Sequence, residues 1–397
     1  MLLALLMAGS LNIFAWDQVG HKITAIIAWE QMRPDVRDKV FKILLDAPED
    51  SHLSVPYDAF TSRSDEIKRL ELFMFASIWP DFVRNRSFEN RHKLYNQGNW
   101  HYAAIFWEQK SDGARILEEF RGSGGIAVPK LTDFEKTMRD PSYKDEEKAL
   151  AIAWYLHVAG DLHNPLHNAS RVTEKEPEGD QGGNLFVLVP RTETSFGVNL
   201  HSYWDSIIGR VKPRKNDEWD TDYLRPIARK FMKKHPVRTF DKTMLERDYN
   251  SWNREGFAFL HPVVYDGVER GNLPSKKYRK RAFKLARKQI TLAGYRIGNA
   301  MNALFSENQA AFYKHPCEVI RVVRYPISKR RTLNQKLRIA LLNVCPPNRG
   351  MVARPVTSIK ANGNELNVEF DVIRVFDSEA QAKEYAAKNK IEDAVYN

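Results

Sequence analysis

The chain has 397 residues, of which 43% are hydrophobic and 28% charged, and its formal net charge is +11 with a pI of about 9.4. This length suffices for one large core or for two to three domains. No apolar run reaches the roughly 20 residues of a membrane span, so we expect no membrane-spanning helix. The basic balance suits a polyanionic partner but is weak evidence alone.

Residues 1–15 have the composition of a secretory signal. They are apolar and uncharged, and Ala15 suits the position before a cleavage site. The segment lacks the Lys or Arg that usually opens a signal, so a buried N-terminal helix is the alternative. We expect a signal peptide over 1–15, cleavage between Ala15 and Trp16, and a secreted or periplasmic protein.

Helical patterns dominate the next stretch of the chain. Apolar residues between Gly20 and Leu45 predict an amphipathic helix, and the range 55–75 predicts another. The segment Trp79-Pro-Asp81 is predicted to break that second helix. Asp81 and Arg84 are three residues apart, which by spacing alone fits a surface ion pair.

The densest group of polar side chains is His157-Val-Ala-Gly-Asp161-Leu-His163-Asn-Pro165-Leu-His167. Spacings of three and four predict a helix over 145–162, on which His157 and Asp161 share one face. Pro165 then ends or kinks the helix and lets His167 turn back toward the same pocket. This arrangement can aim ligands at more than one metal ion. The alternative is a set of capping histidines near a helix end.

Four further pieces have the same character: Trp16-Asp-Gln-Val-Gly-His21; Ala76-Ser-Ile-Trp-Pro-Asp81-Phe-Val-Arg84; Asn99-Trp-His101-Tyr102; and Gly182-Gly-Asn184 with Asn199-Leu-His201-Ser-Tyr-Trp-Asp205. Taken singly, His101 fits a core histidine and Asn184 fits a turn. Asn184 also opens a candidate strand that ends at Val189. The rest of the chain to Phe305 is helical, with an apolar stripe from Ala286 to Leu304.

Residues 306–397 form a separate segment by their pattern. We predict strands over 317–323 and 365–376 and helices over 334–344 and 378–390, which together make a small α/β appendage of unknown role. Both cysteines, Cys317 and Cys345, lie here and could pair in an oxidising compartment.

In order and spacing, these pieces resemble the S1/P1 family of zinc-dependent single-strand-specific nucleases, distant relatives of bacterial zinc phospholipase C. The likeness runs from Trp16 to about Phe305. It implies a mainly α-helical catalytic domain of the phospholipase C and P1 nuclease type over 16–305, followed by the α/β appendage over 306–397. Any one motif is weak, whereas five in order are strong.

The resemblance also implies three zinc ions per chain. Their ligands would fall into three groups: Asp81, His101, His157 and Asp161; Trp16, His21 and Asp161; and His167, His201 and Asp205. By type these ligands suit manganese or iron as well. Asp81 would also orient water, Arg84 and Asn184 would contact the phosphate, and Tyr102 would stack on a nucleobase.

By the same resemblance, the chain would hydrolyse single-stranded DNA and RNA to 5′-phosphorylated products and act as a 3′-nucleotidase. The expected partners are single-stranded nucleic acid and nucleotides, and the expected state is a monomer. One alternative is a zinc phospholipase C, but the short gap between Trp16 and His21 and the use of Asp205 rather than Glu favour a nuclease. The other is a non-catalytic zinc-binding protein, against which the intact ligand set argues.

Overall fold

The computed structural model describes residues 16–59, 63–111, 113–120, 124–192, 197–209 and 219–305, with short strand segments between 323 and 396. The predicted signal peptide over 1–15, the cysteines Cys317 and Cys345, and the helices predicted over 334–344 and 378–390 lie outside the described residues. The chain divides into two compact units, Met1–Ser306 and Glu307–Asn397.

The first unit is mainly helical, as predicted. Its α-helices in chain order are α1 (Gln18–Gln31), α2 (Pro34–Leu45), α3 (Val55–Ala59), α4 (Asp65–Phe82), α5 (Glu89–Tyr95), α6 (Ala127–Arg139), α7 (Asp145–Asp161), α8 (Leu200–Asp205), α9 (Asp220–Lys234), α10 (Tyr249–Ala258) and α11 (Lys276–Phe305). Among the described residues, none of these helices has the length and apolar character that a membrane crossing requires.

Small sheets are interspersed along the chain, which corrects the prediction that the strands would form a C-terminal appendage. In the first unit the strands are β1 (Ile105–Lys110), β2 (Gly113–Ile116), β3 (Ala169–Arg171), β4 (Val187–Val189) and β5 (Val198–Asn199). The order β2-β1-β3 makes one sheet, and β4 pairs with β5 in another. Most of these strands are too short to show the alternation of apolar and polar residues that predicts a strand from a sequence.

The second unit contributes further short strands: β6 (Val323–Pro326), β7 (Gly350–Pro355), β8 (Lys360–Asn362), β9 (Glu365–Val368), β10 (Phe370–Phe376) and β11 (Val395–Tyr396). They form two three-stranded sheets, β10-β7-β11 and β6-β9-β8. The strand predicted over 365–376 is thus divided between two sheets.

Two helix predictions are wrong in their boundaries. The single helix predicted between Gly20 and Leu45 is two helices, because Pro34 starts α2 at a position where its missing N–H costs nothing. Helix α4 continues through Pro80 to Phe82 instead of breaking there. Pro80 lies in the last turn of α4, where few backbone hydrogen bonds remain to be lost, and the buried Trp79 indole anchors that turn on the Ser51 carbonyl at 2.8 Å.

Helix α7 lies at the centre of the first unit. It packs against α1, α2, α4, α6 and α11. From Ala151 onward every residue of α7 is buried, so the helix is apolar on all sides except where His157 and Asp161 lie. A helix of this kind belongs in a core. Its two polar side chains are therefore held in a dry interior, and the helix ends at Asp161 before the short turn Pro165–His167.

Candidate metal centre

Asp161 is the carboxylate on which several imidazoles converge. Its Oδ1 lies 3.2 Å from Nε2 of His21, and its Oδ2 lies 3.0 Å from Nδ1 of His101 and 3.4 Å from Nε2 of His157. These side chains come from α1, from the turn Gly98–His101 and from α7 itself. All are completely buried. Elements distant in sequence thus meet at one carboxylate.

Three groups of ligand atoms each lie within 4.8 Å of one another. The first group is Asp81, His101 and His157; the second is His21, His157 and Asp161; the third is His167, His201 and Asp205. The third group has the members that the sequence predicted. His157 belongs to both the first and the second group. Asp161 belongs to the second group, and its oxygens lie within 3.4 Å of nitrogens of His21, His101 and His157.

Backbone carbonyls fix the orientation of three of these imidazoles. Nδ1 of His157 lies 2.8 Å from the Ser77 carbonyl, Nδ1 of His167 lies 2.8 Å from the His101 carbonyl, and Nδ1 of His201 lies 2.7 Å from the Gly182 carbonyl. A carbonyl only accepts, so each Nδ1 carries the proton and each Nε2 is left with a lone pair. This is the usual second-sphere arrangement of a metal-binding histidine.

Several buried polar atoms at these positions make no hydrogen bond within the part of the chain that the structure describes. They are both ring nitrogens of His21, Nε2 of His101, His167 and His201, Oδ1 of Asp161 and Oδ2 of Asp205. Leaving so many buried polar atoms without partners is unfavourable unless a ligand satisfies them. Nitrogen and carboxylate oxygen are donors that suit zinc, so the residues present fit such an ion.

Burial sets the protonation of these groups. It lowers the pKa of His21 to about 3 and that of His201 to about 4, and it places the pKa of His157 and His167 well below their ordinary value. Burial raises the pKa of Asp161 to about 6, although His101 opposes the shift. The imidazoles are therefore neutral and ready to donate a lone pair at neutral pH.

His163 lies between the ligand candidates in sequence but is not one of them. Its Nδ1 donates to the Ala159 carbonyl at 2.7 Å, and its Nε2 accepts from Nη1 of Arg296 at 2.8 Å. Arg296 in turn makes two hydrogen bonds of 2.9 and 2.7 Å to Glu255. Both ring nitrogens of His163 are thus occupied by structural partners.

Trp16 lies beside the centre. Its side chain is completely buried and packs so closely on Gly20 that a Cβ added there would lie 2.7 Å from the Cβ of Trp16. The backbone N–H of the next residue, Asp17, donates to the Asp205 carbonyl at 2.9 Å. This bond ties the beginning of α1 to α8, the helix that carries His201 and Asp205 of the third group.

Arg84 and Tyr102 form a polar edge of the cluster. Nη1 of Arg84 lies 3.4 Å from Oδ1 of Asp81, and the Tyr102 hydroxyl also favours the charged form of the guanidinium. Burial lowers the pKa of Arg84, but Asp81 and Tyr102 raise it by more, so the side chain stays charged. It is 20% exposed, whereas Asp81 is 2% exposed. An anion entering from solvent would therefore meet Arg84 before Asp81.

The side chain of Asn184 forms hydrogen bonds to neighbouring residues of the same region. Its side-chain amide donates to the Gln181 carbonyl at 2.9 Å and accepts from the Asn199 amide at 3.4 Å. The preceding turn has another role, because the Gly182 carbonyl orients His201. Gly182 has a φ of +62°, and an added Cβ would lie 2.4 Å from the Leu166 carbonyl oxygen.

The sequence analysis missed the residues that support the ligands. Asn164 donates to Oδ1 of Asp205 at 2.9 Å. Asp180 holds the Gly182 turn, since it accepts from the backbone N–H of Gly183 at 3.1 Å and from the Tyr265 hydroxyl at 2.6 Å. Asn164 follows the end of α7 as a cap-like residue, which is a signal for a structural asparagine. Backbone carbonyls such as that of Ser77 leave no signal in a sequence.

Comparison with known proteins shows which family the chain resembles. A family model described as S1/P1 Nuclease matches residues 16–306. Endonuclease 1 of Arabidopsis thaliana is 23% identical over 255 residues, which cover 59% of this chain and 75% of that protein. Nuclease P1 of Penicillium citrinum and Nuclease PA3 of Penicillium sp are each 24% identical over 124 residues, 30% of this chain and 42% of each relative. Because the family model covers most of the chain and includes every residue of the three groups, the chain belongs to the S1/P1 nuclease family.

Proposed function

We propose that this chain is a secreted zinc-dependent phosphodiesterase that hydrolyses single-stranded DNA and RNA to 5′-phosphorylated products and also acts as a 3′-nucleotidase. The observation that carries the proposal is the set of oriented but unpartnered imidazole and carboxylate atoms in the three groups. The unpartnered Nε2 atoms of His167 and His201 point away from the carbonyls that hold the Nδ1 atoms of the same rings. Such a set serves to bind cations rather than to stabilise the fold.

Zinc bound by these groups would supply a Lewis acid for the phosphoryl oxygens and a water of lowered pKa. His157 and Asp161 would hold two of the ions close together, and His167, His201 and Asp205 would hold the third. The protein prepares these ligands by burial, which keeps the imidazoles neutral. Asp161 lies within 3.4 Å of His21, His101 and His157, so both of the first two groups would depend on this carboxylate.

The remaining roles follow from the polar edge of the cluster. Arg84 is charged, partly exposed and tied to Asp81, so it can bind a nonbridging phosphate oxygen as negative charge develops there. Asp81 can accept a hydrogen bond from the attacking water. One face of the Tyr102 ring packs on His167, and the other face is the candidate platform for an unpaired base. A base within a duplex would first have to leave its stack, which costs a few kcal/mol.

Export would complete the second group. Cleavage between Ala15 and Trp16 would free an α-amino group with a pKa near 7.7–8.0, which loses its proton to a cation more readily than an amide does. Trp16 and His21 would then bind the same ion. The packing of Trp16 on Gly20, one residue before His21, supports this arrangement.

Assays on the purified mature protein test the proposal. We expect about three zinc ions per chain by elemental analysis, cleavage of single-stranded DNA and RNA that a chelator abolishes, and slower cleavage of duplex DNA. Product ends are identified by susceptibility to a 5′-phosphate-dependent exonuclease. Phosphatidylcholine is offered in parallel. Turnover of the lipid alone by zinc-loaded protein would refute the nuclease proposal and favour a phospholipase.

A further inference from the structure

Helices α9 and α11 carry an exposed basic surface that the metal centre does not use. Residues 276–288 contain eight lysines and arginines and no acidic residue. We define the basic ridge as the lysines of α11 at four-residue spacing together with those at the end of α9: Lys276, Lys280, Lys284, Lys288, Lys230, Lys233 and Lys234. All are exposed except Lys288, which is half-buried.

The two helices present one continuous surface. Phe231 of α9 and Phe283 of α11 are in edge contact, with ring centroids 6.3 Å apart. Nε of Arg287 donates to Nε2 of His235, the residue that follows α9, at 3.2 Å. The charges of both helices also act on this imidazole, because its pKa is lowered by burial and then by Arg287, Lys288, Lys234 and Lys284. The ridge therefore spans the junction between α9 and α11.

The lysines that α11 contributes to the ridge do not stabilise the folded chain. None of the ridge lysines lies within 4.0 Å of a carboxylate among the described residues. Within the range 276–288, Arg281 forms an ion pair with Asp266. Like charges at four-residue spacing repel each other along a helix. Cations in the first turn also oppose the helix dipole. Repulsion of this kind is relieved when a polyanion binds.

The helix is suited to a polyanion in water rather than to a membrane surface. An interfacial membrane helix inserts its apolar face into lipid. The apolar face of α11 is already buried inside the protein, as Tyr278, Ala282, Ala286 and Ile290 show. Only the charged face is left for a partner. From Lys276 to Lys288 that face extends for about 18 Å at 1.5 Å per residue, which is enough for several phosphates of an extended strand.

The ridge begins close to the third group of ligands. The Trp204 indole donates to the Tyr278 hydroxyl at 2.9 Å, and both side chains are buried. Trp204 precedes Asp205 on α8, whereas Tyr278 lies in the first turn of α11, between Lys276 and Lys280. A single side-chain contact thus connects α8, which carries two members of the third group, to the start of the ridge.

We infer that the basic ridge is an electrostatic docking surface for the phosphate backbone of a nucleic-acid strand whose other part lies at the metal centre. This inference rests on the proposed nuclease function and deepens it. Binding of a strand to the basic ridge makes the enzyme favour long strands over dinucleotides at low salt. The preference decreases as salt screens the phosphate contacts.

The test compares two variants with equal loss of charge. The ridge variant combines Lys276→Gln, Lys280→Gln, Lys284→Gln and Lys288→Gln. The control combines Lys39→Gln, Lys42→Gln, Lys93→Gln and Lys136→Gln, all of which are exposed and lie on α2, α5 and α6. Binding of the zinc-loaded proteins to a fluorescent single-stranded phosphorothioate 30-mer, which resists cleavage, is measured by anisotropy between 50 and 300 mM salt.

We expect the ridge variant to bind the 30-mer at least tenfold more weakly at 50 mM salt, while the control changes less than twofold. The slope of log Kd against log salt should fall by about 2 to 3, since each single-strand phosphate contact contributes about 0.7. Zinc content and dinucleotide hydrolysis should match wild type in both variants.

Equal binding by the ridge variant and the control would overturn the inference. So would a ridge variant that keeps the 30-mer but loses anionic phosphatidylserine vesicles, since the surface would then serve a membrane. If wild type cleaves no phosphodiester, the proposed function fails, whereas the comparison of 30-mer affinities still decides whether the ridge binds nucleic acid.

Discussion

The phenol ring of Tyr102 stacks on the imidazole of His167, with ring centroids 4.6 Å apart and planes inclined by 21°. The hydroxyl of the same residue helps to raise the pKa of Arg84. One side chain therefore contacts a ligand candidate of the third group and the candidate phosphate-binding residue. These two contacts can be separated by mutation.

Tyr102→Phe keeps the stacked ring and removes the hydroxyl. Loss of a polar interaction with Arg84 as strong as a net hydrogen bond would cost about 0.5–1.5 kcal/mol, so we expect kcat/KM on a dinucleotide to fall by about 2- to 12-fold with zinc content unchanged. Tyr102→Ala removes the stack as well and should weaken zinc binding in the third group by about tenfold or more. Kinetics and competitive zinc titration measure the two effects. Equal zinc affinity in both variants would show that the stack does not support His167.

Asp161 and Asp205 allow a matched test of the ligand groups. Asp161→Asn removes the charge that faces His21, His101 and His157, so we expect the zinc content to fall from about three ions to about one. Asp205→Asn affects the third group alone and should leave about two. Activity should fall by about 1,000-fold or more in each. Elemental analysis of the purified variants checks the counts, and full zinc content in Asp161→Asn would show that this carboxylate is not needed to hold the ions of the first two groups.

The sequence was most informative where chemistry and periodicity coincide. Helix α7 was predicted over 145–162 and is observed over Asp145–Asp161, because its apolar pattern and the following Pro165 both mark its extent. The convergence of the third group follows from the same stretch, since His167 turns back after the proline. The four-residue spacing of His201 and Asp205 then supplies the other two members on one short helix.

Other features of the fold and of the site could not be predicted from the local sequence pattern. Pro80 was predicted to break α4, but a proline in the last turn removes few hydrogen bonds, and tertiary packing of Trp79 keeps the turn helical. The parallel pairing of β1 with β3 joins Ile105 to Ala169 and so brings the segments after His101 and His167 side by side. Such pairing depends on the position of distant segments, which local pattern does not encode. The carbonyls that orient the imidazoles are invisible for the same reason.

The metal-free protein should lose stability in acid. Burial lowers the pKa of His21 to about 3 and that of His201 to about 4 from an ordinary 6.5. Between these values the unfolded chain binds more protons than the folded chain, so stability falls as pH falls from about 6.5 toward 4. Asp161, with a pKa raised to about 6, opposes this trend because its protonated form is favoured in the folded state.

The histidines of the three groups outnumber the carboxyl groups by five to three, so the loss should prevail. We expect the melting temperature of chelator-treated protein to fall by about 5 °C or more between pH 6.5 and 4.5. Differential scanning calorimetry at matched ionic strength measures this. A metal-free protein that is more stable at pH 4.5 would mean that the buried carboxyl groups dominate.

The turn at Gly182 should be intolerant of a side chain. Its φ of +62° disfavours any residue with a Cβ, and the added carbon would lie 2.4 Å from the Leu166 carbonyl oxygen. We expect Gly182→Ala to lower the free energy of unfolding by about 1–3 kcal/mol and to weaken zinc binding by the third group, because the Gly182 carbonyl orients His201. Gly98→Ala is the control, since no atom lies within 4 Å of its added Cβ. Denaturant unfolding should give a clearly lower free energy of unfolding for Gly182→Ala than for Gly98→Ala.

His163 and His167 give the sharpest contrast within one motif. His163→Asn leaves Arg296 without its imidazole partner in a buried site, so we expect a loss of about 1–3 kcal/mol in unfolding free energy but no loss of zinc. His167→Asn removes a ligand of the third group and should reduce zinc content from about three ions to about two. Loss of an ion from His163→Asn would place that residue in the metal centre. The contrast arises because Nε2 of His163 accepts a hydrogen bond from a guanidinium, whereas the lone pair on Nε2 of His167 has no hydrogen-bond partner among the described residues.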